Sequence, residues 1–270
     1  MQFNMIEMIR QTNPLIHNIT NIVVANYVAN GLLALGASPI MADAEQEVAE
    51  LATFTSALVL NIGTLDAVKV KAMLLAGKAA NQQGVPVILD PVGVGATSYR
   101  KQAVAELLQQ VKFTAIRGNA GEIAQLAGVA WSAKGVDAGE GGADIAQIAQ
   151  QAAQRYQCVV AVSGEIDYIS DGKQLAKIAN GTPMFPKITG SGCLLGAVIG
   201  AFLALDQQNP FIAVTQACTA YAVAGEIAAQ HLQATQYGQF YTGLLDSLAA
   251  LTDQQVQQLA KVTLLGGSDE

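Results

Sequence analysis

Residues Ile188 to Cys193 read I-T-G-S-G-C and run directly into the apolar stretch L-L-G-A-V-I-G-A-F-L-A-L. Two glycines bracketing a serine at a helix start leave backbone N–H groups free to surround an anion, and the helix dipole adds partial positive charge. Gly190, Ser191 and Gly192 are therefore candidates for a phosphate cradle, with Cys193 beside them. A thiol is unusual there, because phosphoryl-transfer sites generally put a carboxylate next to the acceptor hydroxyl.

Further polar residues close apolar runs upstream. Asp90 ends V-P-V-I-L-D and opens D-P-V-G-V-G, Arg117 ends T-A-I-R, and Ser163-Gly164 follows C-V-V-A-V. Asn119 and Glu122, in N-A-G-E, fall three apart on one face of a first helical turn. A helix or turn cap would also explain Asp90, a capping box gives nearly the same N-x-x-E pattern, and Arg117 and Ser163 could be ordinary strand ends. Together, however, Asp90 and Glu122 make an acidic pair suited to a hydrated Mg²⁺, which needs few carboxylates. Arg117 and Ser163 offer a guanidinium and a hydroxyl to a polyphosphate.

Such residues meet only if strand ends are brought together. Short β-rich runs at Ser38–Met41, Ala57–Ile62, Val85–Asp90, Thr114–Arg117 and Cys158–Ser163 alternate with Ala-rich and Leu-rich stretches of helical spacing. Ile22, Val23, Val28, Leu32 and Leu33 form one such set, and Val68, Met73, Leu74 and Leu75 another. The alternation predicts an α/β fold with a parallel sheet covered by helices on both faces. Ligands bind at the carboxyl ends of strands in open sheets of this kind. Asn61-Ile62-Gly63, Asp90-Pro91, Arg117-Gly118 and Ser163-Gly164 are thus expected to converge on one crevice. Beyond Gly192 the chain reads as helical to about Ala260, with its clearest break at Q-Q-N-P, 207–210. No linker or repeat divides residues 1–270, which predicts one domain; the glycine-dense stretch Lys134 to Asp144 reads as a surface connection.

Of the 270 residues, 51% are hydrophobic and only 13% charged, with a formal net charge of −7. No basic patch is available for nucleic acid, and such sparse charge predicts that subunits cover part of the surface. The N-terminus lacks the pattern of a secretory signal. The longest apolar run, Cys193 to Leu205, has 13 residues and is too short to span a bilayer, so no membrane segment is expected. Three widely spaced cysteines and two histidines suggest neither a disulfide framework nor a zinc site, consistent with a cytoplasmic protein.

The motifs taken together resemble the ribokinase-like superfamily. I-T-G-S-G-C is similar to its G-x-G-D anion-hole motif with Cys replacing the acid, and N-A-G-E resembles its N-x-x-E magnesium motif. H-N-I-T-N, G-A-S-P-I-M-A, L-N-I-G-T-L, D-P-V-G-V-G-A-T, R-G-N-A-G-E-I and K-G-V-D complete, in order, a resemblance to the hydroxyethylthiazole kinase family from Asn18 to Phe202. The resemblance implies a three-layer α/β/α fold without a lid domain, assembled as a homotrimer with active sites between subunits. It implies ATP- and Mg²⁺-dependent phosphorylation of the primary alcohol of 4-methyl-5-(2-hydroxyethyl)thiazole, in thiamine biosynthesis or salvage. Matched residue by residue, Met41, Gly190 and Asn21 fall at thiazole-binding positions, Arg117 and Ser163 at nucleotide-binding positions, and Asp90 and Glu122 in the magnesium region. Related hydroxymethylpyrimidine kinases and nicotinamide-nucleotide hydrate dehydratases carry Asp where Cys193 stands, which argues against them. A non-catalytic nucleotide sensor is disfavoured by the intact Asp90, Glu122 and G-S-G.

Overall fold

The computed structural model describes residues 1–131 and 145–265; the glycine-dense stretch 134–144 lies outside them. After α1 (Met5–Thr12) come β1 (Leu15–Ile19), α2 (Ala25–Leu35), β2 (Ser38–Ile40), α3 (Val48–Leu51), β3 (Ala57–Asn61) and α4 (Ala67–Gln83). They are followed by β4 (Val87–Asp90), α5 (Ser98–Gln110), β5 (Ala115–Asn119) and α6 (Ala120–Ala127). The second half holds α7 (Ile145–Tyr156), β6 (Val159–Ser163), β7 (Asp167–Ser170), β8 (Leu175–Ile178) and a 3-10 turn at Phe185–Lys187. It ends with α8 (Ser191–Leu203), α9 (Pro210–Ala229), α10 (Tyr237–Ala250), α11 (Asp253–Leu259) and β9 (Val262–Leu265).

All the described strands join one sheet in the order β2-β1-β3-β4-β5-β6-β7-β8-β9. Strands β2 through β6 are parallel, and β7 to β9 extend the same sheet antiparallel. The chain leaves β1 for β2 on one side and returns to β3 on the other, so the topological switch point falls between β1 and β3. A crevice opens beyond the carboxyl ends of strands at such a point.

Two-residue periodicity sorts each strand between two cores. Ile16, Val59, Ile88, Ala115 and Ala161 face α2, α8 and α9. Leu58, Leu60, Val87, Leu89, Ile116 and Val160 face the side of α4, α5, α6 and α7. Continuing the first set by two residues puts Asn61, Asp90, Arg117 and Ser163 in a row on the α8 side. Helix α8 comes close to that row through Gly192, Gly196 and Gly200, which repeat every four residues on one face. A Cβ at Gly200 would lie 3.1 Å from Val59, one at Gly196 3.7 Å from Asp90 Oδ2, and one at Gly192 2.5 Å from Arg117 Nη1.

Several details differ from the sequence-based expectation. Strand β1 is hidden in the sequence because His17 and Asn18, both buried, interrupt its apolar character. Ile22 and Val23 precede α2 instead of joining its buried face, and they are 79% and 66% exposed. Leu33 and Val68 are exposed as well. The helical C-terminal region follows expectation, with Pro210 at the first turn of α9, but β9 closes the sheet after it. Helix α9 has the length and apolarity of a membrane span, yet most of it is buried in the core against α8 and α10.

Candidate active site

Helix α8 begins at Gly190, whose φ of +93° suits glycine and whose Cβ would strike Val24 Cγ1 at 2.8 Å. No side chain caps the helix, and Leu194 N–H to the Gly190 carbonyl is its first backbone bond, at 2.8 Å. The N–H groups of Ser191, Gly192 and Cys193 therefore lack intrahelical partners. The Ser191 hydroxyl turns away, donating to the Phe185 carbonyl at 2.8 Å, while Tyr221 donates to the Ser191 carbonyl at 2.7 Å. Ser191 thus offers the cradle its backbone, and its side chain fixes the preceding turn.

Beneath this helix start sits Arg117, its side chain only 11% exposed. It donates from Nη2 to Ser163 Oγ at 2.6 Å and lies 3.7 Å from Asp90 Oδ1. Burial opposes its charge, but Asp90, Glu122, Cys193 and Asp167 outweigh that effect and keep it protonated. A cation below a helix N-terminus meets the unfavourable end of the dipole. Among the described residues its Nε is moreover buried with no acceptor, and Asp90 Oδ1 receives no hydrogen bond. This imbalance favours an anion within reach of both the guanidinium and the open N–H groups.

Asp90 is fully buried, and its Oδ2 accepts from Asn61 Nδ2 at 2.7 Å. Burial raises its pKa from 3.8 to about 7, with Arg117 opposing and Glu122 adding to the rise. The folded protein then holds this proton more tightly than the unfolded chain. Asp90's contribution to stability is complete below about pH 4 and is lost as the pH rises to about 7. Asp167, pushed by burial to about 6, acts in the same direction. In thermal melts of ligand-free protein between pH 4.5 and 8, the wild type is expected to lose more stability on raising the pH than Asp90→Asn.

Glu122 forms the capping box anticipated as the simpler explanation of N-A-G-E. Its Oε2 accepts from Asn119 N at 2.8 Å, and Asn119 Oδ1 accepts from Glu122 N at 2.9 Å. Its Oε1 accepts from Gly93 N at 2.8 Å, tying α6 to the loop after β4. Among the described residues no group of three His, Cys, Asp or Glu converges as a metal cage. The donor set still suits a hard cation that keeps its waters, since Asp90 Oδ1 is open and each Glu122 oxygen retains a lone pair.

Cys193 Sγ accepts from Asn21 Nδ2 at 3.4 Å. Burial, reinforced by Asp90, lifts the thiol pKa to about 11, against the lowering effects of Arg117, Asn61 and Asn21. Cys193 is a neutral thiol at physiological pH. Met41 stands apart, partly exposed just beyond the edge strand β2.

Three further residues hold the crevice, two of which were not legible as contributors. Arg100 donates to the carbonyls of Ile62 and Val92, both at 2.7 Å, and of Gly63 at 2.8 Å, joining the loops after β3 and β4. Lys69, mostly buried, donates to the Thr20 carbonyl at 3.3 Å and lies 3.7 Å from Asp43. Asn61 joins Asp90 to Asn21, whose Nδ2 reaches Asn61 Oδ1 at 2.9 Å. Only Asn61 carried a signal, as the polar end of an apolar strand.

An uncapped helix start over a row of polar residues toward the carboxyl ends of β3 to β6, in a mostly parallel sheet between helices, is the architecture of the ribokinase-like fold class. The overall fold is shared with a ribokinase-like superfamily protein from Enterococcus faecalis at a TM-score of 0.61 and 12% identity, over 87% of this chain and 86% of that one. Within that class the chain belongs to the hydroxyethylthiazole kinase family, whose model matches residues 6–254. It is 63% identical to the hydroxyethylthiazole kinase of Histophilus somni, over 94% of this chain and 96% of that protein. The structure of the hydroxyethylthiazole kinase protein from Pyrococcus horikoshii superposes at a TM-score of 0.87 with 38% identity, covering 96% of this chain and 97% of that one.

Proposed function

We propose that this kinase transfers the terminal phosphoryl group of ATP to the primary alcohol of 4-methyl-5-(2-hydroxyethyl)thiazole, serving thiamine biosynthesis or salvage. The observation that carries this reading is the open N-terminus of α8 above the incompletely satisfied Arg117, with Cys193 adjoining. In this account the N–H groups from Gly190 to Cys193 hold the transferring phosphoryl group. Arg117 and Ser163 bind the nucleotide's phosphates. Asn21, Met41 and Gly190 receive the thiazole, and Cys193 adjoins its hydroxyl. Mg²⁺, held by Asp90 and Glu122 through its waters, would supply charge neutralisation along the polyphosphate. Phosphoryl transfer through a loose transition state depends mainly on alignment and electrostatics, so a neutral thiol suffices beside the acceptor.

The test is ATP turnover with and without the thiazole alcohol, run beside a panel of other primary alcohols that includes hydroxymethylpyrimidine. Turnover that depends on the thiazole alcohol supports the assignment, whereas preference for hydroxymethylpyrimidine or thiazole-independent hydrolysis overturns it.

The working form in this account is a cytoplasmic homotrimer, with Met41 walling a neighbour's thiazole site. Ile22, Val23, Met41 and Val68 are exposed apolar residues on the chain's crevice side, where loops are linked by Lys69 to Thr20 and by Ile22 N to Thr64 Oγ1 at 3.1 Å. Burial against a second copy would remove that apolar surface from water. Val23→Asp is expected to dissociate the trimer and reduce turnover at least tenfold, measured by sedimentation at assay concentration. A fully active monomer would contradict the shared site.

A further inference from the structure

The end of β3 lies at the switch point, and its N-I-G sequence has so far been given no part in the reaction. Asn61 is 1% exposed and makes three hydrogen bonds: Nδ2 to Asp90 Oδ2 at 2.7 Å, and Oδ1 from Gly63 N at 3.0 Å and from Asn21 Nδ2 at 2.9 Å. The orientation of this amide follows from Gly63, because a backbone N–H can only donate and so must meet the amide oxygen. With its oxygen turned toward Gly63, Asn61 presents an acceptor to Asn21, which must answer with its NH₂ group. The second proton of that NH₂ goes to Cys193 Sγ at 3.4 Å. Asn21 Oδ1 is then left with no donor among the described residues, and it is not among the buried unpartnered atoms, so it keeps some access to solvent.

Gly63 contributes by what it lacks. A Cβ there would lie 2.7 Å from Asn21 Nδ2 and 2.9 Å from both its Cβ and Cγ. Any side chain at position 63 would force Asn21 out of its seat. The Gly63 carbonyl is in turn held by Arg100 at 2.8 Å.

We propose that Asn61 and Gly63 are positioning residues that set the Asn21 amide with its oxygen, and not its nitrogen, toward the acceptor alcohol. The inference rests on the alcohol-phosphorylating reading above and deepens it. An amide oxygen accepts a hydrogen bond from the hydroxyl, holding the O–H in place without taking its proton and turning the alcohol's two lone pairs toward phosphorus. An amide NH₂ in the same place would donate to that oxygen and engage one of those lone pairs, weakening the nucleophile. The sense of one amide therefore tunes how readily the bound alcohol attacks.

A double-mutant cycle tests this through Asn21. Gly63→Ala leaves the bonds of Asn61 to Asp90 and Gly63 in place and gives up only the one from the displaced Asn21; Asn61→Ala releases Asn21 to turn over. Each is expected to lower kcat/KM for the thiazole alcohol about 10- to 100-fold, within the range of lost positioning; KM for ATP stays within twofold of wild type for Gly63→Ala, whereas Asn61→Ala also strips Asp90 of a hydrogen bond and raises it. In an Asn21→Ala background, Gly63→Ala should have no further effect. Wild-type kinetics for Gly63→Ala, or an undiminished effect once Asn21 is gone, overturns the proposal. If Asn61→Ala fails to fold, the Gly63 cycle decides alone. If the wild type phosphorylates another primary alcohol and not the thiazole, the substrate assignment fails, and the same ratios measured with that alcohol still judge the role of Asn61 and Gly63.

Discussion

Asp90→Asn is expected to reduce kcat by about 100-fold or more, a loss typical of removing one electrostatic contributor from a preorganised site, while the protein remains folded. Asparagine has the shape of aspartate, and its amide oxygen can still accept from Asn61 Nδ2, so the row of strand ends keeps its spacing. What disappears is the ionisable carboxyl group 3.7 Å from Arg117, whose oxygen would help hold Mg²⁺. Glu122→Gln gives an instructive contrast. The capping box tolerates glutamine, but one oxygen that accepts from Gly93 or Asn119 becomes an amide nitrogen, so this variant loosens the loop after β4 as well as activity. Turnover measured across a Mg²⁺ titration, beside thermal melts, separates the two. Near-normal kcat for both variants at saturating Mg²⁺ would remove metal handling from the mechanism.

Cys193 supplies the second large effect, and its direction is unusual. A thiol held near pKa 11 contributes little as a base, so Cys193→Ser is expected to retain measurable activity within about tenfold. Cys193→Asp should retain or raise kcat. The new carboxylate would receive Asn21 Nδ2, lie at a helix N-terminus and sit within the field of Arg117, all of which favour its ionised form. An ionised base beside the alcohol brings general-base assistance, typically about 10²- to 10⁴-fold when fully expressed. Repulsion from Asp90 and from the transferring phosphoryl group limits that gain. Steady-state kcat for both variants, with circular dichroism as a check on folding, decides the matter. Two folded but inactive variants would assign Cys193 a role specific to sulfur and end the weak-base account.

Much of this site was legible because parallel strands buried on both faces have no reason to end in charge. Asp90, Arg117 and Ser163 stood out on that ground, and the alternation of each strand carries them to the α8 side of the sheet. The uncapped start of α8, proposed above as an anion cradle, was legible from two glycines before an apolar helix. Less accessible was anything that depends on pairing across long sequence separations. Arg100 reads as a surface charge in α5 until the loops after β3 and β4 fold around it, and Lys69 reads likewise in α4. Strands β7 and β8 carry Asp167, Ser170 and Lys177 among few apolar residues, too short a pattern to reveal a hairpin. The apolar run around Ile22 was misleading for a different reason. It has the composition of a core segment while lying outside the fold of a single chain.

The neutral state of the thiols has a consequence for oxidative stress. Peroxides and alkylating agents attack thiolate, and the reactive cysteines of redox-sensitive enzymes are those whose pKa is depressed. Here burial pushes Cys193 to about 11, Cys158 to about 12, and Cys218 well above the usual thiol value. A kinase that carries sulfur at the uncapped start of α8 is thereby shielded from the chemistry that sulfur usually invites, and its activity should outlast exposures to hydrogen peroxide that silence enzymes with thiolate nucleophiles.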